Sequence, residues 1–156
     1  MDFDEFLRVL AALEREDVDY LLVGGAAVNL HGIVRMTEDV DLFVRPARDN
    51  LARLLSALRA VWKDPELDDL SPEDLLADYP TLRYAPPEGG LVVDVLTRIG
   101  TKFRFEDLEG EVIELDGVRV RVATPATLVR LKQATLRPID RADAEALREK
   151  FGLAED

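Results

Sequence analysis

Tyr20-Leu21-Leu22-Val23 is an apolar run of four residues that stops at Gly24-Gly25. A run this short, closed by two glycines, is too brief for a buried helix and reads as a buried strand. Ala26 to Leu30 follows at once and reads as a short helix that begins at the glycines. Asp39-Val40-Asp41-Leu42-Phe43-Val44 alternates in part, reads as a second strand and is ended by Pro46. Around this pair lie two amphipathic helices. One spans residues 2–16, with Phe3, Phe6, Leu7, Leu10 and Leu13 on one face, and the other carries Leu51, Leu54, Leu55, Leu58 and Trp62. Strands interleaved with one-faced helices must bury those faces against a sheet, so the expected class is α/β (α+β) with a mixed sheet flanked by helices.

The rest of the chain fits the same plan. Lys63 to Asp78 is acidic and irregular, with a helix start at Ser71-Pro72. Thr81 to Thr97 reads as a hairpin around Pro86-Pro87-Glu88-Gly89-Gly90. Val112 to Val122 reads as a second hairpin, turning at Asp116-Gly117, a pair suited to a type I′ turn. A helix is expected from Thr124-Pro125 through Leu136. A last one, capped by Asp140, carries Ala144, Leu147 and Phe151 and ends at Gly152. With 156 residues, 47% of them hydrophobic, one domain over residues 1–156 is expected.

Several chemistries are excluded by count. The chain has no Cys and a single His, His31, so thiolate zinc sites, Fe–S clusters and multi-His zinc sites are out. Its two serines, Ser56 and Ser71, lie in no G-x-S-x-G element, and no P-loop sequence is present. The net charge of −12 makes it a poor binder of nucleic acid backbones or anionic membranes. No apolar run approaches the roughly 20 residues of a membrane span. The acidic start Met1-Asp2-Phe3-Asp4-Glu5 lacks the basic region of a signal peptide, so a cytoplasmic location is expected.

Three places could carry chemistry. Gly24-Gly25, between a strand and a helix, lets a backbone approach a ligand and suits a phosphate; the plain alternative is a tight turn. Asp39 and Asp41 point the same way from their strand, about 7 Å apart at a rise of ~3.3 Å per residue, while Val40, Leu42 and Val44 point into a core. Two like charges side by side call for a cation, and the hard oxygen donors suit Mg²⁺. The same D-x-D pattern at Asp2/Asp4 and Asp17/Asp19 falls in or at the end of a helix and reads as solvated charge. Asp94 interrupts the apolar strand Leu91-Val92-Val93-Asp94-Val95-Leu96. A carboxylate there is costly unless it is metal-bound or paired, the alternative being contact with solvent or an Arg. Together the three places describe in-line phosphoryl-type transfer assisted by two metal ions.

Tyr20-Leu21-Leu22-Val23-Gly24-Gly25-Ala26-Ala27-Val28-Asn29-Leu30-His31-Gly32, then Arg35-Met36-Thr37-Glu38-Asp39-Val40-Asp41-Leu42, then Val93-Asp94-Val95, resembles the signature of the DNA polymerase β-like nucleotidyltransferase superfamily. Within it the chain is similar to small bacterial members: the AbiEii-type toxins of toxin–antitoxin systems and the minimal nucleotidyltransferases paired with HEPN proteins. The tail Leu131-Lys132-Gln133-Ala134 to Arg137-Pro138-Ile139-Asp140-Arg141-Ala142-Asp143 resembles the Lys…Asp segment that closes AbiEii-type domains.

The resemblance implies a nucleotidyltransferase fold and transfer of a nucleoside monophosphate from an NTP to a hydroxyl, releasing pyrophosphate. It implies one or two Mg²⁺ ions on Asp39, Asp41 and Asp94, with Asp94 also orienting or deprotonating the acceptor. Gly24 and Gly25 would contact phosphate, as would Arg35, Thr37 and Lys132. For these last three the plain alternatives are an Arg35–Glu38 pair, a Thr37 turn cap and a solvated Lys132. His31 is expected to pack or cap rather than catalyse. A chain of this length is expected to have no room for the added domains of larger relatives, so the acceptor stays open between a protein, a tRNA and a small molecule. The role stays open among a toxin–antitoxin component with a cognate partner protein, an antibiotic-modifying enzyme of lincosamide or aminoglycoside type, and a non-catalytic antitoxin or partner of the same fold.

Overall fold

The computed structural model describes residues 2–33, 37–76, 81–98, 103–133 and 138–153. Helix α1 (Phe3–Arg15) is capped by the Asp2 side chain, which accepts from the Glu5 N–H, and it buries Phe6, Val9, Leu10 and Leu13. Strand β1 (Tyr20–Val23) runs into α2 (Gly24–Leu30), and β2 (Asp39–Val44) runs into α3 (Arg48–Val61). The stretch expected to be irregular contains two single-turn helices, α4 (Pro65–Asp68) and α5 (Pro72–Leu75). Each starts with a proline at the first helical turn behind a polar cap, Asp64 or Ser71, a position where proline's missing N–H costs nothing. Strands β3 (Thr81–Tyr84) and β4 (Val92–Leu96) form the first hairpin, and β5 (Gly110–Leu115) and β6 (Val118–Ala123) the second. At the second turn Asp116 and Gly117 both take positive φ, 47° and 79°, as a type I′ turn requires. Helices α6 (Pro125–Gln133) and α7 (Pro138–Phe151) close the order and pack on one another. Residues 134–137, where α6 was expected to end, lie outside the described residues.

The six strands form one mixed sheet in the order β3-β4-β2-β1-β6-β5. Strand β1 pairs antiparallel with β2 and parallel with β6, and β2 pairs parallel with β4. The expected mixed α/β architecture is what forms. The core is built from Leu22, Val40, Leu42, Val93 and Val95 of the central strands, against Leu10, Leu13, Leu54 and Leu58 of α1 and α3. Among the described residues no helix is long and apolar enough to cross a membrane.

Polar side chains fix the ends of the central strands. Asn50 on α3 is fully buried. Its Oδ1 accepts from the Asp19 N–H at 2.7 Å, and its Nδ2 donates to the carbonyls of Asp19 at 3.0 Å and Arg45 at 2.9 Å. One side chain thus clamps the residue before β1 to the residue after β2. Buried Glu5 accepts from the Trp62 indole at 2.7 Å and the Leu91 N–H at 3.3 Å, anchoring the start of β4. The Tyr84 hydroxyl donates to Asp64 at 2.7 Å and anchors the end of β3.

Replacing Asn50 with Ala strands buried donors and acceptors. A loss of about 2–3 kcal/mol is expected in urea unfolding. An unfolding midpoint equal to wild type would show that this clamp does not hold β1 against β2.

Candidate active site

Backbone register assembles the site. Antiparallel pairing sets Val23 opposite Asp41, parallel pairing sets Asp41 opposite Asp94, and antiparallel pairing sets Arg83 opposite Asp94. Residues paired this way share one face of a sheet, so Arg83, Asp94, Asp41 and Val23 form a single row across four strands. Asp39 lies on the same face, two residues before Asp41, opposite Val92. The burial of β2 alternates as expected at its start, with Asp39 and Asp41 half-buried and Val40 and Leu42 fully buried. The two D-x-D segments elsewhere have no such neighbours: Asp2 is the cap of α1 and Asp19 pairs with Arg45.

Gly24 closes one side of the row. Its φ is +67°, a region that L side chains rarely adopt, and a Cβ there would stand 2.1 Å from Asp41 Oδ2. Glycine is required on both counts, because only a bare backbone lets α2 begin against the carboxylate. Gly25 is buried in the first turn of α2 and is not among the residues lining the cavity.

Two cations flank the carboxylates. Arg83 Nε donates to Asp94 Oδ1 at 3.0 Å, and its Nη2 donates to Asp94 Oδ2 at 3.2 Å and to Asp39 Oδ2 at 2.7 Å. One guanidinium therefore grips Asp94 with two nitrogens and ties it to Asp39. The sequence reading allowed an Arg as partner for Asp94 but did not identify this one. On the other side Lys132 of α6 is buried, with Nζ 3.3 Å from Asp140 Oδ1 and 2.9 Å from Asp143 Oδ2, both on α7. This excludes the plain alternative for Lys132 and corrects one expectation. Lys132 is no solvated helix position. Asp140 is no N-cap: α7 starts at Pro138, so Asp140 falls inside the first turn, where its 2% exposed carboxylate turns to the ammonium.

The row, Gly24 and Lys132 line a cavity of about 550 Å³, with Leu128 and Leu131 on one wall. The Asp41 carboxyl is raised in all from an ordinary 3.8 to about 6, and burial is the largest cause. The Asp94 charge, a hydrogen bond shared with Asp94 and the Asp39 charge contribute to that rise, and Lys132 opposes them. The donor set is therefore three hard carboxylate side chains under mutual repulsion, beside a glycine whose missing Cβ makes room for Asp41. That chemistry fits a divalent cation such as Mg²⁺. Among the described residues no three such side chains stand as a ready-made metal cage, and Arg83 now spans two of the three carboxylates.

The remaining expected residues lie elsewhere. The Thr37 hydroxyl donates to the Asp39 carbonyl at 3.1 Å and braces the approach to β2; Thr37 does not line the cavity. Arg35 lies outside the described residues. His31 follows the last residue of α2, its Nε2 2.8 Å from the Ala123 carbonyl and its ring edge-on to Phe151. It packs, as expected, and holds α2 to β6 and α7.

A family model described as nucleotidyl transferase AbiEii toxin, type IV toxin–antitoxin system, matches residues 6–151. Among the curated proteins the chain has no match. Solved structures share the fold. An antigenic nucleotidyltransferase-like protein from Paracoccidioides brasiliensis has a TM-score of 0.56 at 19% identity, over 90% of this chain and 74% of that one. The antibiotic-resistance factor ANT(2'')-Ia has a TM-score of 0.54 at 14% identity, over 97% of this chain and 86% of that one. The same factor in complex with adenylyl-2''-tobramycin gives 0.52 at 12% identity, over 93% and 86%.

The raised Asp41 carboxyl makes the metal-free protein pH-sensitive in a defined direction. Its folded pKa lies above the unfolded value, so the associated stability is complete below about pH 4 and is lost as pH rises through about 6. Asp41→Asn removes that loss. Its stability relative to wild type is expected to grow by about 1–3 kcal/mol between pH 4 and pH 7 in chelator. Urea unfolding at the two pH values checks it, and a difference independent of pH would contradict the placement of Asp41 in a crowded acidic row.

Proposed function

We propose, for a chain that belongs to the AbiEii nucleotidyl transferase toxin family, that the cavity over β2 and β4 transfers a nucleoside monophosphate from an NTP to a hydroxyl acceptor. The observation that carries this reading is the row itself: Asp41 in register with Asp94, Asp39 beside them, and Gly24 held bare against Asp41. Asp39, Asp41 and Asp94 would hold one or two Mg²⁺ ions. A bound Mg²⁺ supplies charge neutralisation at the phosphates and at the attacking oxygen.

The chain's own residues supply the rest. Gly24 leaves room for the Asp41 carboxylate and brings bare backbone to the cavity wall where a phosphate would lie, and Gly25 allows the tight start of α2 behind it. Lys132, held by Asp140 and Asp143, places a fixed positive charge at the cavity wall for the nucleotide's phosphates. Asp94 orients the acceptor hydroxyl and takes its proton. The acceptor oxygen forms a bond to the α-phosphorus as the bond to the bridging oxygen breaks, and pyrophosphate leaves with that electron pair. Thr37 contributes by holding the backbone of Asp39 rather than by reaching the nucleotide.

The family supports a toxin–antitoxin setting with a cognate partner protein; a cytoplasmic location and one domain over residues 1–156 are part of the same proposal. A net charge of −12 disfavours tRNA as acceptor and leaves a protein or a small hydroxylated molecule. The fold shared with the factor bound to adenylyl-2''-tobramycin supports a second reading, in which the acceptor is an aminoglycoside-type antibiotic. Label from an α-labelled NTP separates the readings: it appears on protein in the first and on the antibiotic in the second.

Asp39→Asn is expected to abolish Mg²⁺-dependent NTP binding in titration calorimetry while circular dichroism stays unchanged. Binding equal to wild type would remove Asp39 from the site.

A further inference from the structure

Arg83 is a poor candidate for a merely structural ion pair. It stands on β3, at the edge of the sheet, with 61% of its side chain exposed, and an exposed edge position does not need a three-bond clamp for stability. Yet its guanidinium reaches across β4 to join Asp94 and Asp39 and lines the same cavity as Gly24 and Lys132. It thus occupies, with one positive charge, carboxylate oxygens that the proposed nucleotidyl transfer assigns to a divalent cation. An arginine cannot shed its proton to make way; it can only leave as a cation, into water or, more favourably, onto another anion. The polyphosphate of a nucleotide, entering the same cavity, is such an anion.

We propose that Arg83 is a resident counter-cation that couples the two ligands of the site. It competes with a divalent metal ion for Asp39 and Asp94, and once displaced it binds the phosphates of the incoming nucleotide. The exposed, unbranched side chain can swing from carboxylates to phosphates without moving the sheet, and the guanidinium fork suits either partner. Metal alone then binds weakly, because Arg83 must be displaced into water. Metal and nucleotide together bind well, because Arg83 exchanges one anion for another. This is linkage between two ligands through one side chain. The inference rests on the nucleotidyl transfer reading.

The test uses Arg83→Gln and Arg83→Lys with two probes. Mn²⁺ alone is titrated by paramagnetic resonance of the free ion, and α,β-methylene-ATP is titrated by calorimetry at saturating Mn²⁺. Arg83→Gln is expected to bind Mn²⁺ alone about tenfold more tightly and the analogue about tenfold more weakly, with Arg83→Lys between it and wild type. The opposite signs matter, because a merely structural role would weaken both. Mn²⁺ affinity unchanged or weakened in Arg83→Gln, or analogue affinity unchanged, overturns the inference. Asp41→Asn separates this from failure of the broader reading. Mn²⁺ binding that Asp41→Asn abolishes, but that Arg83→Gln does not tighten, overturns the role of Arg83 alone. Mn²⁺ binding insensitive to Asp41→Asn in wild type and in Arg83→Gln overturns both.

Discussion

The parallel pairing of β2 with β4 sets Asp41 directly beside Asp94. Neighbouring strands lie about 4.8 Å apart, so two carboxylates on one face at that spacing repel strongly and are partly withdrawn from water as well. Most of the surrounding structure answers that repulsion. Gly24 gives Asp41 space that any other residue would fill. Arg83 offsets part of the charge on Asp94 and Asp39 from the edge of the sheet, and Lys132 adds positive charge from α6. The register is not free to relax: β2 has a fully buried opposite face, and a slip of one residue would turn Val40 and Leu42 out and the acids in.

The two cations solve different problems. Lys132 is buried with two carboxylates of its own, Asp140 and Asp143, so its position is fixed by α7 as much as by α6. Burying such a charge cluster does not by itself stabilise a fold, since desolvation offsets much of the attraction. It does place a charge at a definite point on the cavity wall. Arg83 is mostly exposed, so of the two it is the cation with solvent space to move into. A fixed ammonium within the cavity wall and an exposed guanidinium across from it are the two cations that an anion entering with a metal ion would meet.

The parts of this site that rest on local pattern were legible in the residues. The apolar run closed by Gly24-Gly25 marked a strand-to-helix turn, the spacing of Asp39 and Asp41 put both on one face, and an acid inside Leu91–Leu96 stood out by polarity alone. What depended on register or on tertiary pairing was not legible in the same way. Arg83 meets Asp94 only because the Thr81–Leu96 hairpin pairs them, and the long Pro-Gly turn between the strands does not fix that register. Reading the hairpin for opposite charges on facing positions would have singled out the pair. The burial of Lys132 and the role of Asp140 were hidden for a related reason. Helical periodicity assigns faces but does not say which face another helix covers, and Asp140 near a helix start looks like a cap until its partner on α6 is known.

Membership in the AbiEii family, the row of acids and the glycine beside them converge on one account, in which the acids are set in register to hold a divalent cation. The most direct test is a crystal structure with Mn²⁺ and α,β-methylene-ATP, using anomalous scattering to locate the metal. The account predicts manganese bonded to oxygens of Asp41 and Asp94, with the Arg83 guanidinium moved from Asp94 to a phosphate. Nucleotide bound with no manganese on these carboxylates, and Arg83 still bridging Asp39 and Asp94, would contradict it.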